Sequence, residues 1–252
     1  MDRQNYITMA AVQERHWWFR GRRALLGRVF ARLKLPEKAH ILDAGCGPGP
    51  NLQLLAQYGR VWGMEYDDYA LEHAKKISDA TLAQGFLPYD IPFAGQKFHL
   101  VTLLDVLSCI ESDKDAIQAL AERIEPGGWL VITAPAYNFL WSSHDVASHH
   151  YRRYTISRLK DAVAPSGLTI HFTSYFNSIL FLPIFLIRLM KRWLSILEGD
   201  DSGVVPSVPI NQFLYGLLRL ESALLGYGLV FPFGVSVLLV AHKPVSDGSN
   251  LV

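Results

Sequence analysis

Residues 39–49 read AHILDAGCGPG, an apolar strand running into a loop with glycine at every second position (Gly45, Gly47, Gly49) and Asp43 just before the first. Glycines so spaced let the backbone turn tightly and approach a ligand with no Cβ in the way. The following NLQLLAQY (51–58) has a helical pattern, so the loop opens onto a helix N-terminus with unpaired amides. A second apolar stretch, VWGME (61–65), ends in Glu65, twenty-two residues after Asp43. In a doubly wound fold an acidic side chain at that place bonds ribose hydroxyls. The two stretches predict an α/β sheet holding an adenosine-containing ligand at its carboxyl edge.

Charge and spacing narrow the ligand. A dinucleotide site needs G-x-G-x-x-G, with a pyrophosphate resting on the helix N-terminus. Here the spacing is G-x-G-x-G, and Asp43 would face that pyrophosphate with a like charge. At ~4 Å and a surface-like dielectric, the contact costs on the order of 4 kcal/mol. S-adenosylmethionine (SAM) brings no phosphate; it offers an ammonium and a sulfonium, which Asp43 attracts. SAM is therefore the expected cofactor, bound by Asp43, Gly45, Cys46, Gly47 and Gly49, with Glu65 and Tyr66 at the ribose.

Further motifs fall at matching places. IPFAGQKFHLVTLLDVLSCIESD (91–113) and EPGGWLVITAP (125–135) follow the glycine loop. Together with it they resemble the class I SAM-dependent methyltransferases, over about residues 38–175 and again near 235–243. The sequence departs from the family pattern at His99, where Asp is usual, and at Cys109, where His is common. The resemblance implies a Rossmann-like sheet of seven strands, the last antiparallel and beside the sixth. It also implies that Phe86 and Leu87 border the adenine, and that Asp105 and Val106 line the methionine side. A helix N-cap is the other reading of Asp105.

Alternating strand and helix patterns extend this reading along the chain. Strands are expected at 39–43, 61–65, near 80–84, at 98–104, 129–135, 168–176 and 235–243. Helices are expected at 50–57, 68–77, 113–124 and 157–167, with one or two more over 10–34. Residues 1–38 are assigned as an N-terminal helical cap and 39–252 as the cofactor-binding domain. Within it, about residues 177–233 form an insert of two helix-like apolar stretches around the polar DDSGVVPSVP. A long insertion with its own secondary structure is usually functional or an interface.

Composition bounds the remaining classes. Half of the 252 residues are hydrophobic, enough for a sizeable core, and a net charge of +1 gives no global field for nucleic acid. Arginines do cluster at the N-terminal end: Arg15, Arg20, Arg22, Arg23, Arg28 and Arg32. The two cysteines, Cys46 and Cys109, read as small packing residues in a reducing compartment. MDRQNYITM lacks the apolar core of a leader, and SILFLPIFLIRLM (178–190) is too short to span a bilayer. The expected location is the cytoplasm.

Three stretches carry the expected chemistry. LWSSHDVASHHYRRYT (140–155) follows the fifth strand and so sits at the carboxyl edge. It resembles an LWSxHD…H-x-RRYT motif of one type 11/12-like methyltransferase subgroup, with His149 replacing a glycine. One reading gives substrate recognition, with His144 or His150 as proton acceptor held by Asp145, Tyr154 beside them, and Trp141 and Arg153 as substrate contacts. A structural cap over the pocket and a His/Asp metal triad are the other two, and no metal is assigned. The second stretch, ERHWWFRGRR (14–23), resembles HWWF-x-x-RR segments of the same subgroup. It reads as a lid laying Trp17 and Trp18 over the site with Arg20 or Arg23 pairing an acidic group, or else as a packed helix with solvated arginines.

The third stretch is the insert. With Arg188, Lys191 and Arg192 alongside, it fits peripheral membrane contact at the inner face, closure over an apolar substrate, or a homodimer interface. The overall expectation is methyl transfer from SAM to an apolar or lipid-linked small molecule. The alternatives are a nicotinamide-dependent oxidoreductase and a non-catalytic SAM-binding membrane-surface protein.

Overall fold

The strand leading into the glycine loop, β1 (Ala39–Ala44), is buried at all but one position, as a strand covered on both faces must be. The computed structural model describes residues 1–193 and 203–245. The end of the first apolar insert stretch (194–199), the start of the polar insert segment (200–202), the polar tail beyond Val245 and the side chains of Lys191, Arg192 and Trp193 lie outside the described residues. β1 pairs in parallel with β2 (Gly59–Glu65) on one side and β4 (Phe98–Leu104) on the other. β3 (Thr81–Gln84), β5 (Ile124–Pro135), β6 (Thr169–Phe176) and β7 (Ser236–His242) complete seven strands in the order β3-β2-β1-β4-β5-β7-β6. β7 runs antiparallel to both β5 and β6. The order reverses between β1 and β4, and their carboxyl ends therefore part to leave a crevice.

Side chains alternate across the sheet. Leu42, Leu103, Ile132 and Leu239 face one layer, with Ile117 and Leu120 of α5 (Asp113–Glu122) and Leu159 of α7 (Ile156–Val163). Ile41, Leu100, Val131 and Leu238 face the other, with Leu25, Leu26 and Phe30 of α2 (Trp17–Phe30) and Leu225 of α9 (Val208–Gly226). Of the one or two helices expected over 10–34, the structure has two. α1 begins upstream and spans Arg3–Val12, and α2 starts after His16, whose Nδ1 accepts from the Trp18 N–H at 3.2 Å. That side-chain cap satisfies an amide left over at the helix start.

The insert supplies α8 (Phe181–Trp193) and α9. α9 lies along α2, where Gly21 leaves the space that Leu218 fills. Between β1 and β2, α3 (Leu52–Leu55) is shorter than expected, whereas α4 (Asp68–Ile77) has its expected bounds. The 140–155 loop contains a short helix, α6 (Ser143–Ala147), started by a reciprocal capping box between Ser142 and Asp145.

Candidate active site

The loops after β1, β2 and β4, with α1, α2 and α6, enclose a cavity of about 840 Å³. That is toward the upper end of the roughly 300–1,000 Å³ usual for small-molecule sites. Gly45 and Gly47 turn the loop at positive φ, +83° and +56°. A Cβ on Gly45 would stand 2.5 Å from Val106 Cγ2, whereas nothing lies within 4 Å of a Cβ position on Gly47. Cys46, Tyr66, Leu87 and Val106 also line the cavity, and Tyr66 and Phe86 meet edge to face at 6.1 Å. Gly49 is outside the wall; its backbone packs against Ala74 of α4 at 3.1 Å from where a Cβ would stand.

Glu65 ends β2 and is nearly buried. Its Oε1 accepts from the Tyr6 hydroxyl at 2.9 Å and from the Tyr66 and Asp67 amides, and its Oε2 accepts from the Gly47 amide at 2.9 Å. A carboxylate offers about four acceptor positions, which leaves room on Oε2 for a ribose hydroxyl. Tyr6 was invisible as a site residue in the sequence, since nothing in its surroundings signals a long-range partner.

Asp43 is wholly buried one layer behind the cavity wall. Thr102 Oγ1 donates to its Oδ1 at 2.7 Å, but Oδ2 has no hydrogen-bond partner. Burial raises its pKa to about 6, against the opposing pull of Thr102 and the Arg22 charge. Asp43 therefore does not line the cavity, although the sequence places it against the ligand.

Asp105 holds a φ of +61° at the end of β4, a region non-glycine residues seldom occupy. Its amide donates to Thr133 O at 2.9 Å, its Oδ1 accepts from Thr133 Oγ1 at 3.2 Å, and its Oδ2 pairs with Arg22. The turn that follows is capped from Val106 without a side-chain bond, which sets aside the N-cap reading of Asp105. Arg22 is buried, lines the cavity and has an Nε with no acceptor. Anion and cation thus meet at one corner, as the ammonium and carboxylate of a methionine moiety require. The residues present fit SAM.

Arg22 takes the place expected of Arg20 or Arg23. Arg20 lies over the Tyr215 ring at 4.1 Å, and Arg23 pairs with Glu14 at 3.1 Å. Helical spacing held the signal: Trp18 and Arg22 are four apart and share the face toward the loop. Trp17 and Trp18 do line the cavity, and Trp18 also stacks on Phe176 at 5.8 Å.

Across the cavity stand His144, His150 and Arg153. Asp145 is fully buried behind them. Arg153 holds it with two parallel bonds, Nε to Oδ1 at 2.8 Å and Nη2 to Oδ2 at 2.7 Å. The Ser142 amide adds 2.8 Å to Oδ2, and His150 Nδ1 sits 2.8 Å from Oδ1. Burial opposes the charge on His150, but its bond to Asp145, with Cys109 beside it, raises its pKa to about 9. The same partners hold Asp145 far below the usual carboxylate range despite its burial. At neutral pH His150 is an imidazolium, which removes it as a proton acceptor there. His144 lies edge to face with His150 at 5.9 Å, its Nε2 3.5 Å from Ser148 Oγ.

Two expected substrate-side residues are elsewhere. Tyr154 is fully buried in the core layer below the sheet, and its hydroxyl donates to Asp113 at 2.8 Å, away from the cavity. Trp141 is 40% exposed and outside the wall. Tyr154 pairs with the sheet through Ala136, so the strand-like RRYT end of the loop turns its ring inward. Cys109, expected as packing, also lines the cavity and donates to Ser148 O at 3.4 Å. Among the described residues no three His, Cys, Asp or Glu side chains cluster as a metal site would.

A methyltransferase-domain family model matches residues 16–172. A curated relative, the dTDP-3-amino-3,4,6-trideoxy-alpha-D-glucopyranose N,N-dimethyltransferase of Streptomyces venezuelae, is 30% identical over 56% of this chain and 64% of its own. The chain spans less than two thirds of the length of the curated relatives it matches, 64% and 58% for two of them. Among solved structures, a chain of the complex between the Haloferax volcanii Trm112 methyltransferase activator and a methyltransferase superposes with a TM-score of 0.62. It is 18% identical, covering 96% of this chain and 97% of that one. Haemonchus contortus phosphoethanolamine N-methyltransferase 2, solved with S-adenosyl-L-methionine, gives 0.56 at 17% identity over 87% of this chain and 52% of that one. These likenesses give no support to a nicotinamide-dependent oxidoreductase or to a scaffold. Fold, glycine loop and family match agree: the chain belongs to the class I SAM-dependent methyltransferases.

Proposed function

We propose that this chain moves a methyl group from SAM to an apolar or lipid-linked small molecule. One observation carries the reading. A single cavity joins the Arg22–Asp105 corner to the histidine pair and continues to apolar walls from the insert, Ile184, Ile187 and Val204. When bound, SAM supplies a methyl on a sulfonium, a leaving group already built in. The protein contributes proximity and alignment, which are worth ~7–11 kcal/mol.

In this reading Asp105 and Arg22 hold the methionine ammonium and carboxylate, Glu65 the ribose, and Phe86 and Leu87 the adenine edge. Trp17 and Trp18 wall the acceptor. His150, fixed by Asp145 and Arg153, presents a charged donor to an electron-rich acceptor group. His144 takes the proton when the acceptor atom carries one, since it lines the same cavity.

The test is S-adenosylhomocysteine release when the purified chain and SAM meet a lipid extract or a water-soluble metabolite fraction. Turnover is expected with the lipid fraction, reduced at least tenfold in His144→Ala while SAM still binds by calorimetry. Turnover only with the water-soluble fraction would overturn the acceptor class. SAM binding without turnover in either fraction would overturn catalysis.

A further inference from the structure

Most of the exposed large apolar side chains among the described residues belong to the insert. On α9 they form one outward stripe, Phe213, Leu220 and Leu224 leading to Tyr227, with exposures of 66%, 54%, 36% and 88%. The inward residues Leu218, Glu221, Ser222 and Leu225 are buried, with α2 packed along the helix. On α8, Leu186 and Met190 are likewise exposed. This surface is far more apolar than scattered surface residues explain.

Among the described side chains its exposed charge is basic. From Phe181 to Val235 the described charged side chains are Arg188, Arg219 and Glu221; Arg188 lines the cavity and donates to Leu140 O, whereas Arg219 is exposed. The one acid among them is buried, where its Oε2 accepts from the Ser178 and Ile179 amides. Arg28 and Arg32 of the α2 end add to the rim: a Cβ on Gly226 would meet Arg28, and Arg32 donates to Leu225 O at 3.2 Å. Glu198, Asp200 and Asp201 fall in the connection outside the described residues.

We infer that this face docks on an anionic lipid bilayer, the apolar stripe entering the headgroup boundary and the arginines meeting lipid phosphates. Charge selects a bilayer over the other occupants. In a two-fold pairing of copies the same patch meets itself, so the basic rim would face its own sign. An anionic surface is its complement. No described helix is long and apolar enough to cross a membrane. Ile187 is 54% exposed on α8 and also lines the cavity, so the insert contributes to the pocket as well as to the apolar surface. The inference deepens the lipid-acceptor reading but stands on a surface that the cofactor site does not use.

The experiment is cosedimentation of the full chain with phosphatidylcholine vesicles, with and without phosphatidylglycerol, at low and high salt. Binding is expected to the phosphatidylglycerol vesicles, at least tenfold weaker in Phe213→Glu/Leu220→Glu and in Arg28→Glu/Arg219→Glu, and weakened by salt. Val245→Glu, an exposed apolar site on the β7 side, should leave binding unchanged. Circular dichroism and SAM calorimetry establish that each variant is folded and that failure to bind vesicles is separate from failure of the cofactor site. Absence of vesicle binding, equal binding with and without phosphatidylglycerol, or binding untouched by Phe213→Glu/Leu220→Glu overturns the inference. A monomer–dimer equilibrium abolished by the same variants, without vesicle binding, overturns it in favour of a second copy.

Discussion

Arg22 and His150 show how burial decides which charged residues act. The N-terminal segment offers arginines at 15, 20, 22, 23, 28 and 32, and the sequence alone points to Arg20 or Arg23. The fold seats one, Arg22, against Asp105 and leaves its Nε without an acceptor. Arg22→Ala strips the corner of its cation and leaves the half-buried Asp105 without it, so SAM affinity should fall by ten- to a hundredfold. A charge-assisted bond of about 1.5–3 kcal/mol sets that scale. Arg20→Ala, which loses only its contact with Tyr215, should leave affinity within twofold. Calorimetry with SAM compares them, and equal losses in the two would disprove the assignment. His150 gives a sign test. As a charged donor with a pKa of about 9, it supports turnover that stays level from pH 7 and falls as pH rises through about 9. A base at that position would instead give turnover rising across the interval. His150→Gln should keep SAM binding and flatten the alkaline limb.

At the scale of elements, periodicity told most of the story. FHLVTLL and DYALEHAKKI read directly as β4 and α4, because one is a continuous apolar run and the other keeps charge on one helical face. Where α1 gives way to α2 was hidden because His16 is an uncommon cap, and the inward turn of Tyr154 because pairing with Ala136 is long-range. Asp43 and Glu65 were legible from spacing, but the layer separating Asp43 from the cavity was not, since depth behind a loop leaves no trace in spacing. The α2–α9 contact allows a paired test. A methyl on Gly21 would run into Leu218 down to its Cβ, whereas a methyl on Gly216, also helical, meets nothing within 4 Å. Gly21→Ala should destabilise by ~1–3 kcal/mol through overpacking. Gly216→Ala should stabilise by up to about 1 kcal/mol through helix propensity. Thermal melts should show the midpoint moving down for the first and up for the second, by roughly 2–4 °C per kcal/mol. Shifts of the same sign would mean that α9 does not seat on Gly21.

For the whole molecule, the two halves of the cavity impose opposite charges that together set the pH dependence of stability. Asp43 has a folded pKa raised to about 6, above its ordinary 3.8. A carboxyl raised on folding favours the native state below its unfolded pKa, and that favour is lost as pH climbs through about 6. His150 has a folded pKa raised to about 9 from 6.5, so its contribution is full below 6.5 and disappears as pH rises through about 9. Asp145, depressed in the fold, contributes above 3.8 and loses that contribution only in strong acid. Without cofactor, stability should therefore decline in two steps, between about pH 4 and 6 and between about pH 6.5 and 9. Asp43→Asn should shrink the first step to what the raised carboxyl of buried Glu221 contributes and leave the second, whereas His150→Gln should remove the second and leave the first. Saturating SAM should shrink the first step as well, because a cation near Asp43 lowers its folded pKa toward the unfolded value. Denaturant melts at intervals across this range, with and without SAM, measure both steps. A first step left undiminished by both Asp43→Asn and the cofactor would place the buried charge elsewhere and remove the electrostatic reason for the glycine loop to prefer a sulfonium.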